Sequence, residues 1–348
     1  MNYLVFWFML YFIHKSIILL VLISGITGWV IVPYKSGIER INGACIVNPP
    51  RPIDASTLGA IKQINVNWVA VIPYGFSHAG QPNVSYDHSG QWWGERTDGN
   101  CKLIQYAKEN HLKVMVKPHV WVIEQGWAGD FSLTTEGEWK TWEKDYTEYI
   151  LNHASKADSM NAELFCIGTE YRVPARDRPQ FWRDLIGKVR KHYSGKITYA
   201  SNWDNYHKIS WWDAVDYIGI DAYFPLAEGV DPSVEKIKEG WEPVKKNLSV
   251  FSNRWKKPIL FTEFGFQSID GATGKHWDID KSVVSANPQL QADAFEATFQ
   301  SLENASWFVG GFFWKWHLTS RTGDWYKKAW TPQNKPASEV IAKWYGKS

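Results

Sequence analysis

A chain of 348 residues with 38 basic and 36 acidic side chains has a formal net charge of only +2, too little field to hold a polyanion, so nucleic acid is not an expected partner. The length exceeds a typical single domain but suits one barrel of alternating strands and helices, which fills about 250 residues or more. The outlier is 22 Trp: a flat apolar ring with one N–H serves half-wet binding surfaces as well as cores, and Trp92-Trp93, Trp211-Trp212 and Trp314-Lys315-Trp316 fit a purely structural role least well.

Residues 3–32 are almost wholly apolar, broken by His14-Lys15-Ser16 and a few small or polar residues, and Pro33 closes the run. Residues 1–33 therefore read as a signal peptide whose apolar stretch follows Lys15, or as an uncleaved membrane anchor, since about 20 apolar residues span a bilayer. The absence of a small-x-small cleavage site after Ile23 and of any basic residue before His14 favours the anchor. Either way the remainder is expected to be secreted or to sit in the cell envelope. Cys45, Cys101 and Cys166 are odd in number and lack CxxC spacing, so they read as buried free thiols, a poor match to an oxidising compartment.

From about residue 40 to 346, short apolar runs rich in Val, Ile and aromatics alternate with longer amphipathic stretches, the pattern of βα units. The expected strands are 43–47, 68–73, 113–120, 164–168, 197–201, 217–222, 259–262 and 311–314. Expected helices include 137–157, 179–192, 232–254, 288–304 and 336–345, several opening on Pro, which suits a first helical turn. A doubly wound open sheet would carry a Gly-rich phosphate loop after its first strand, where Ile46-Val47-Asn48-Pro49-Pro50 stands. Eight units instead predict an α/β fold, a (β/α)8 TIM barrel in one catalytic domain.

Barrel chemistry projects from the C-terminal ends of strands. The third expected strand ends near Lys117, His119 and Trp121, the fourth at Thr169 and Glu170, and the fifth at Asn202 and Trp203. The sixth ends at Asp221 and Tyr223, the seventh at Glu263, and the eighth at Trp314, Lys315, Trp316 and His317. Glu170 and Glu263 each terminate an apolar run, and a buried strand tolerates a glutamate only when something stabilises it. They stand 93 residues apart, three units of 31, so the fourth and seventh strands can present them to one another. A structural ion pair with a barrel Lys or Arg would account for either one, and less well for both.

Paired carboxyls across a mouth suit glycoside hydrolysis, in which one protonates the leaving oxygen and the other attacks or stabilises the sugar carbon. His119 has no second His at metal-ligand spacing, so no metal or cofactor is expected, and a hydrogen-bonding role beside the reacting sugar fits it better. Tyr223 is positioned to donate to an attacking carboxylate, and Trp121, Asn202, Trp203, Asp221, Trp314 and Trp316 complete the expected substrate surface.

The ordered motifs Lys117-Pro118-His119-Val120-Trp121, Ile167-Gly168-Thr169-Glu170, Gly219-Ile220-Asp221-Ala222-Tyr223 and Thr262-Glu263-Phe264-Gly265 resemble the clan A glycoside hydrolases, most closely the family 113 endo-β-1,4-mannanases, over the whole barrel. That resemblance implies a retaining reaction on a β-linked oligo- or polysaccharide, with Glu170 as acid/base and Glu263 as nucleophile. In much of the clan Asn precedes the acid/base, where Thr169 stands here, and Asn202 becomes the candidate to hold the sugar 2-hydroxyl. Two other readings accompany this one: another β-glycosidase, exo-acting or specific for a different glycan, and a silent carbohydrate-binding barrel.

Overall fold

The computed structural model describes residues 40–319 and 323–347. The segment 3–32, with its signal or anchor reading, lies outside the described residues. The described residues form ten strands: β1 (Ile41–Val47), β2 (Trp68–Val71), β3 (Tyr74–His78), β4 (Lys113–Val116), β5 (His119–Ile123), β6 (Leu164–Thr169), β7 (Lys196–Asn202), β8 (Ile218–Asp221), β9 (Ile259–Phe264) and β10 (Phe308–His317). Eight of them close into a parallel barrel in the order β1-β10-β9-β8-β7-β6-β4-β2. Its helices are α1 (Thr97–Glu109), α2 (Glu136–Ser159), α3 (Arg172–Asp177), α4 (Pro179–His192), α5 (Val234–Trp255), α6 (Pro288–Leu302), α7 (Asp324–Lys327) and α8 (Pro336–Tyr345). The TIM-barrel expectation is met.

Alternation along the strands builds two cores. Trp68, Ala70, Ile72, Leu164, Cys166 and Leu260 fill the barrel interior, whereas Val69, Val71, Phe165, Ile167 and Phe261 pack outward with the helices. Local signals set the helix starts: Thr135 and Glu138 form a reciprocal cap on α2, and the Asn287 side chain accepts from Leu290 N–H while Pro288 opens α6.

The third expected strand, 113–120, is in fact two. Pro118 lacks an N–H for the ladder, so β4 stops at Val116, and after it β5 leaves the barrel wall. There β5 pairs in parallel with β3, from Tyr74 opposite His119 to His78 opposite Ile123, as a ribbon beyond the barrel. Trp211 and Trp212 are fully buried, their indole N–H groups donating to Ala175 O and Tyr206 O, so this pair is core and not a binding surface. Cys45 and Cys166 are buried free thiols, whereas Cys101 is only half-buried.

Candidate active site

Ladder irregularities fall just before the site residues. The β6/β7 register shifts between Cys166 and Thr169, and the β8/β9 register between Ile220 and Asp221. Such bulges re-aim the side chains that follow. Gly168 and Gly265 are required by close approach. A Cβ on Gly168 would lie 2.6 Å from the Tyr146 hydroxyl, and one on Gly265 2.7 Å from Trp314 O.

Glu263 lies at the bottom of the barrel mouth, 6% exposed. Its Oε1 accepts from Lys117 Nζ at 2.5 Å and its Oε2 from the Tyr223 hydroxyl at 2.7 Å. Lys117 is fully buried, and its Nζ also donates to His119 Nε2 at 2.9 Å and to Asp221 Oδ2 at 3.3 Å. Three N–H bonds thus meet three acceptors. His119 Nε2 lies 3.5 Å from Glu263 Oε1, too long to compete with the bond it accepts from lysine, so the neutral ring carries its proton on Nδ1.

Burial alone would raise the Glu263 carboxyl, but the charge and hydrogen bond of Lys117 overturn that and hold it down at about 2. Lys117 is likewise raised despite burial, because Asp221 and Glu263 face it. Burial and the neighbouring ammonium lower His119 to about 4, which keeps it neutral. Asp221 is pushed well up by burial and by the charge of Glu263, against the pull of Lys117.

Glu170 follows β6 with φ at 53°, its N–H donating to Ala200 O at 2.8 Å. A left-handed glutamate costs about 1–3 kcal/mol and tends to persist where function requires it. Burial and the charge of Glu263 push its carboxyl up to about 7, while Lys117 and a 2.5 Å hydrogen bond from Trp127 Nε1 to Oε2 pull the other way. The mouth therefore holds one carboxyl that is protonated near neutrality beside one that is ionised.

Aromatic rings surround the pair. His119 stacks on Trp314 at 6.2 Å and meets Tyr74 edge-on at 5.4 Å. Beyond Tyr74 and Trp314 opens a cleft of about 660 Å³, walled by Trp92, Trp325 and Trp330, with Asn48, Glu95 and Gln267 among its polar groups. Past Glu170, the Arg172 guanidinium covers the Trp127 ring at 5.0 Å. Trp203 stacks on Trp277 at 5.7 Å, and Trp121 on the ribbon is 51% exposed.

Of the residues expected from sequence, Glu263, His119 and Tyr223 are in direct contact with one another or with Lys117, and the charge of Glu263 reaches Glu170. Asn202 ends β7 opposite Asp221, its Oδ1 buried without a hydrogen-bond partner. Two expectations require correction. Asp221 is fully buried and bonded to Lys117 and to Thr262 Oγ1, so it cannot touch substrate. Trp316 points away from the mouth: a register shift makes Trp314 pair with the inward Cys45 and Trp316 with the outward Ile46, and Trp316 packs on Phe313. Sequence reading did not assign Lys117 a role, although a lysine ending an apolar strand was visible. It missed Trp127, which lies in a loop without a distinguishing pattern.

The family model for Glycoside Hydrolase Family 113 matches residues 52–335. The chain belongs to glycoside hydrolase family 113. Among solved structures, this family 113 barrel is similar to the GH113 β-mannanase AaManA from Alicyclobacillus acidocaldarius in complex with ManMIm. They share 25% identity at a TM-score of 0.79, over 89% of this chain and 98% of that one. A complex of a GH113 β-1,4-mannanase aligns at 26% identity and a TM-score of 0.76, over 89% of this chain and 100% of that one. A β-glucuronidase from Ruminococcus gnavus shares the fold alone, at 12% identity and a TM-score of 0.62, over 88% of this chain and 50% of that one. No curated protein sequence matches. Among the described residues, no group of three or more His, Cys, Asp or Glu could hold a metal ion.

Proposed function

We propose that this family 113 glycoside hydrolase is a retaining endo-β-1,4-mannanase in which Glu170 is the acid/base and Glu263 the nucleophile. The observation that carries the assignment is the contrast in bonding: Glu263 accepts from the Lys117 ammonium and the Tyr223 hydroxyl, which favours its ionised form, whereas Glu170 meets the Trp127 indole and is pushed up to about 7 by burial and the charge of Glu263. Double displacement needs that division, because one group must arrive with a proton and the other without. The mannan-type substrate is supported by the β-mannanases that share the fold and family. Endo action is supported by the extent of aromatic surface at the mouth: Trp92, Trp325 and Trp330 wall the cleft, Trp127 donates to Glu170, and Trp203 stacks on Trp277.

In this mechanism Glu170 protonates the glycosidic oxygen as Glu263 attacks the anomeric carbon, and then deprotonates the water that frees the sugar. Tyr223 and Lys117 keep the attacking carboxylate ionised and oriented. His119, Trp314 and Asn202 line the place of the reacting sugar.

Glu263→Ala should abolish turnover, and added azide should restore it with inverted product stereochemistry; wild-type rates in that variant would refute the assignment. Glu170→Ala should retain activity only on substrates with good leaving groups. Parallel digestion of mannan, glucomannan, cellulose and xylan, read by product length, tests both substrate and endo action. Binding without release of reducing ends would instead support the silent barrel.

We further propose that residues 3–32 export or anchor the enzyme, a reading supported by their apolar run. No helix among the described residues is long and apolar enough to cross a membrane. Carbonate extraction of membranes distinguishes an anchor, which stays with the pellet, from a cleaved signal.

A further inference from the structure

Asp221 is buried beyond the reach of substrate, yet it is a second carboxyl on the same ammonium that holds Glu263. Its Oδ1 accepts from Thr262 Oγ1 at 2.7 Å and its Oδ2 from Lys117 at 3.3 Å. Lys117 has one neutral partner, His119, and two acidic ones, so free Glu263 alone would suffice as its counter-charge. The spare carboxyl matters once the reaction has begun.

On the two-step mechanism above, on which this inference rests, a Glu263 oxygen bonds to the anomeric carbon and the carbon's bond to the glycosidic oxygen breaks. The released electron pair takes the proton of Glu170. Glu263 is then a neutral ester, and a buried ammonium has lost its nearest anion. An unpaired buried charge is strongly unfavourable, so Lys117 would move or lose its proton unless another anion faced it. Only Asp221 is available among its hydrogen-bond partners. In the second step, water oxygen bonds to the anomeric carbon, its proton passes to Glu170, and the ester bond returns its pair to Glu263. That newborn carboxylate needs the ammonium in place.

We propose that Asp221 is a positioning residue that serves as the stand-in counter-ion of Lys117 while Glu263 is esterified, keeping the ammonium charged and aimed for deglycosylation. Both Asp221 oxygens already accept hydrogen bonds, from Thr262 Oγ1 and Lys117 Nζ, which suits a carboxylate in place before the reaction, so no proton has to leave this buried group. Glycosylation begins with Lys117 already paired to Glu263 and depends on Asp221 much less.

The test is stopped-flow release of dinitrophenol from 2,4-dinitrophenyl β-mannobioside by Asp221→Asn, which keeps the shape and removes the charge. The burst should stay within about threefold of wild type, while the steady rate and KM both fall about tenfold or more as the intermediate accumulates. Equal losses in burst and steady rate, or no loss in either, would overturn the proposal. If Asp221→Asn does not fold, Thr262→Val leaves both charges and removes only the bond that steadies Asp221. A few-fold loss confined to the steady phase is expected, and an equal loss in both phases contradicts the idea. Wild-type enzyme treated with a 2-deoxy-2-fluoro β-mannosyl fluoride separates this from the underlying mechanism. A covalent adduct on Glu263 by mass spectrometry upholds the two-step reading whatever Asp221→Asn does, and its absence together with absent turnover overturns both.

Discussion

Replacing Lys117 with Met removes one buried charge while nearly preserving side-chain length, and its effect follows from the Glu263 environment. In the native site that carboxyl lies at about 2 against an ordinary value of 4.5, with burial opposing the shift. The interval corresponds to about 3 kcal/mol in favour of the ionised form. Breaking a buried pair costs about 3–5 kcal/mol, so the two scales agree. Without the ammonium, burial and the nearby Asp221 are opposed by the Tyr223 hydrogen bond but no longer by a charge, and Glu263 should titrate above 4.5. Native activity requires ionised Glu263 and protonated Glu170, so kcat/KM should stay flat through mildly acidic pH and fall as pH rises through about 7. In Lys117→Met an acid limb should enter the accessible range and the maximum should fall by about 100- to 1,000-fold. The assay is kcat/KM on mannopentaose from pH 4 to 9, with circular dichroism to confirm the fold. A variant that kept both the flat acid side and a rate within threefold of wild type would refute this account of the site.

Trp127→Phe removes the donor that lowers Glu170, so the alkaline limb should move to higher pH, and hydrolysis should slow most on poor leaving groups; an unmoved limb contradicts this. Glu170 has a raised value in the folded state, so its contribution to stability is full below about 4.5 and is lost as pH rises through about 7. Glu170→Gln should therefore melt a few degrees above wild type at pH 8 and match it at pH 4.5 by calorimetry. Trp316→Ala should cost about 3–5 kcal/mol in denaturant unfolding and leave KM unchanged, since its ring packs with the outer core. Trp203→Ala should raise KM on long oligosaccharides several-fold without a matching loss of stability.

The barrel was legible because its strands are continuous apolar runs and its chemistry sits where they end, so Glu170 and Glu263 stood out as carboxylates after Phe165 to Ile167 and Ile259 to Phe261. What sequence could not display was register. Alternation puts Trp314 and Trp316 on one face, and a one-residue irregularity at Lys315 sends them to opposite ones. Asp221 ends its strand as a binding residue would, yet is fully buried under Lys117 through a contact 104 positions away in the chain. Trp127 reaches Glu170 from a loop with no periodicity to announce it. The β3/β5 ribbon depends on one proline ending a ladder, which a continuous apolar pattern from 113 to 120 conceals.

Among the described residues, two groups of indoles stand at opposite optical extremes. Trp142, Trp182, Trp211, Trp212 and Trp241 are sealed in the protein, whereas Trp92, Trp121, Trp127, Trp277 and Trp325 face solvent. The sealed rings emit toward the blue and are shielded from acrylamide; the open ones emit toward the red and are quenched by it. An oligosaccharide laid over Trp92, Trp127 or Trp277 changes only the second population, while loss of the fold changes the first. Occupancy and integrity can thus be followed separately in one unlabelled sample, by choosing the edge of the emission band at which the signal is recorded.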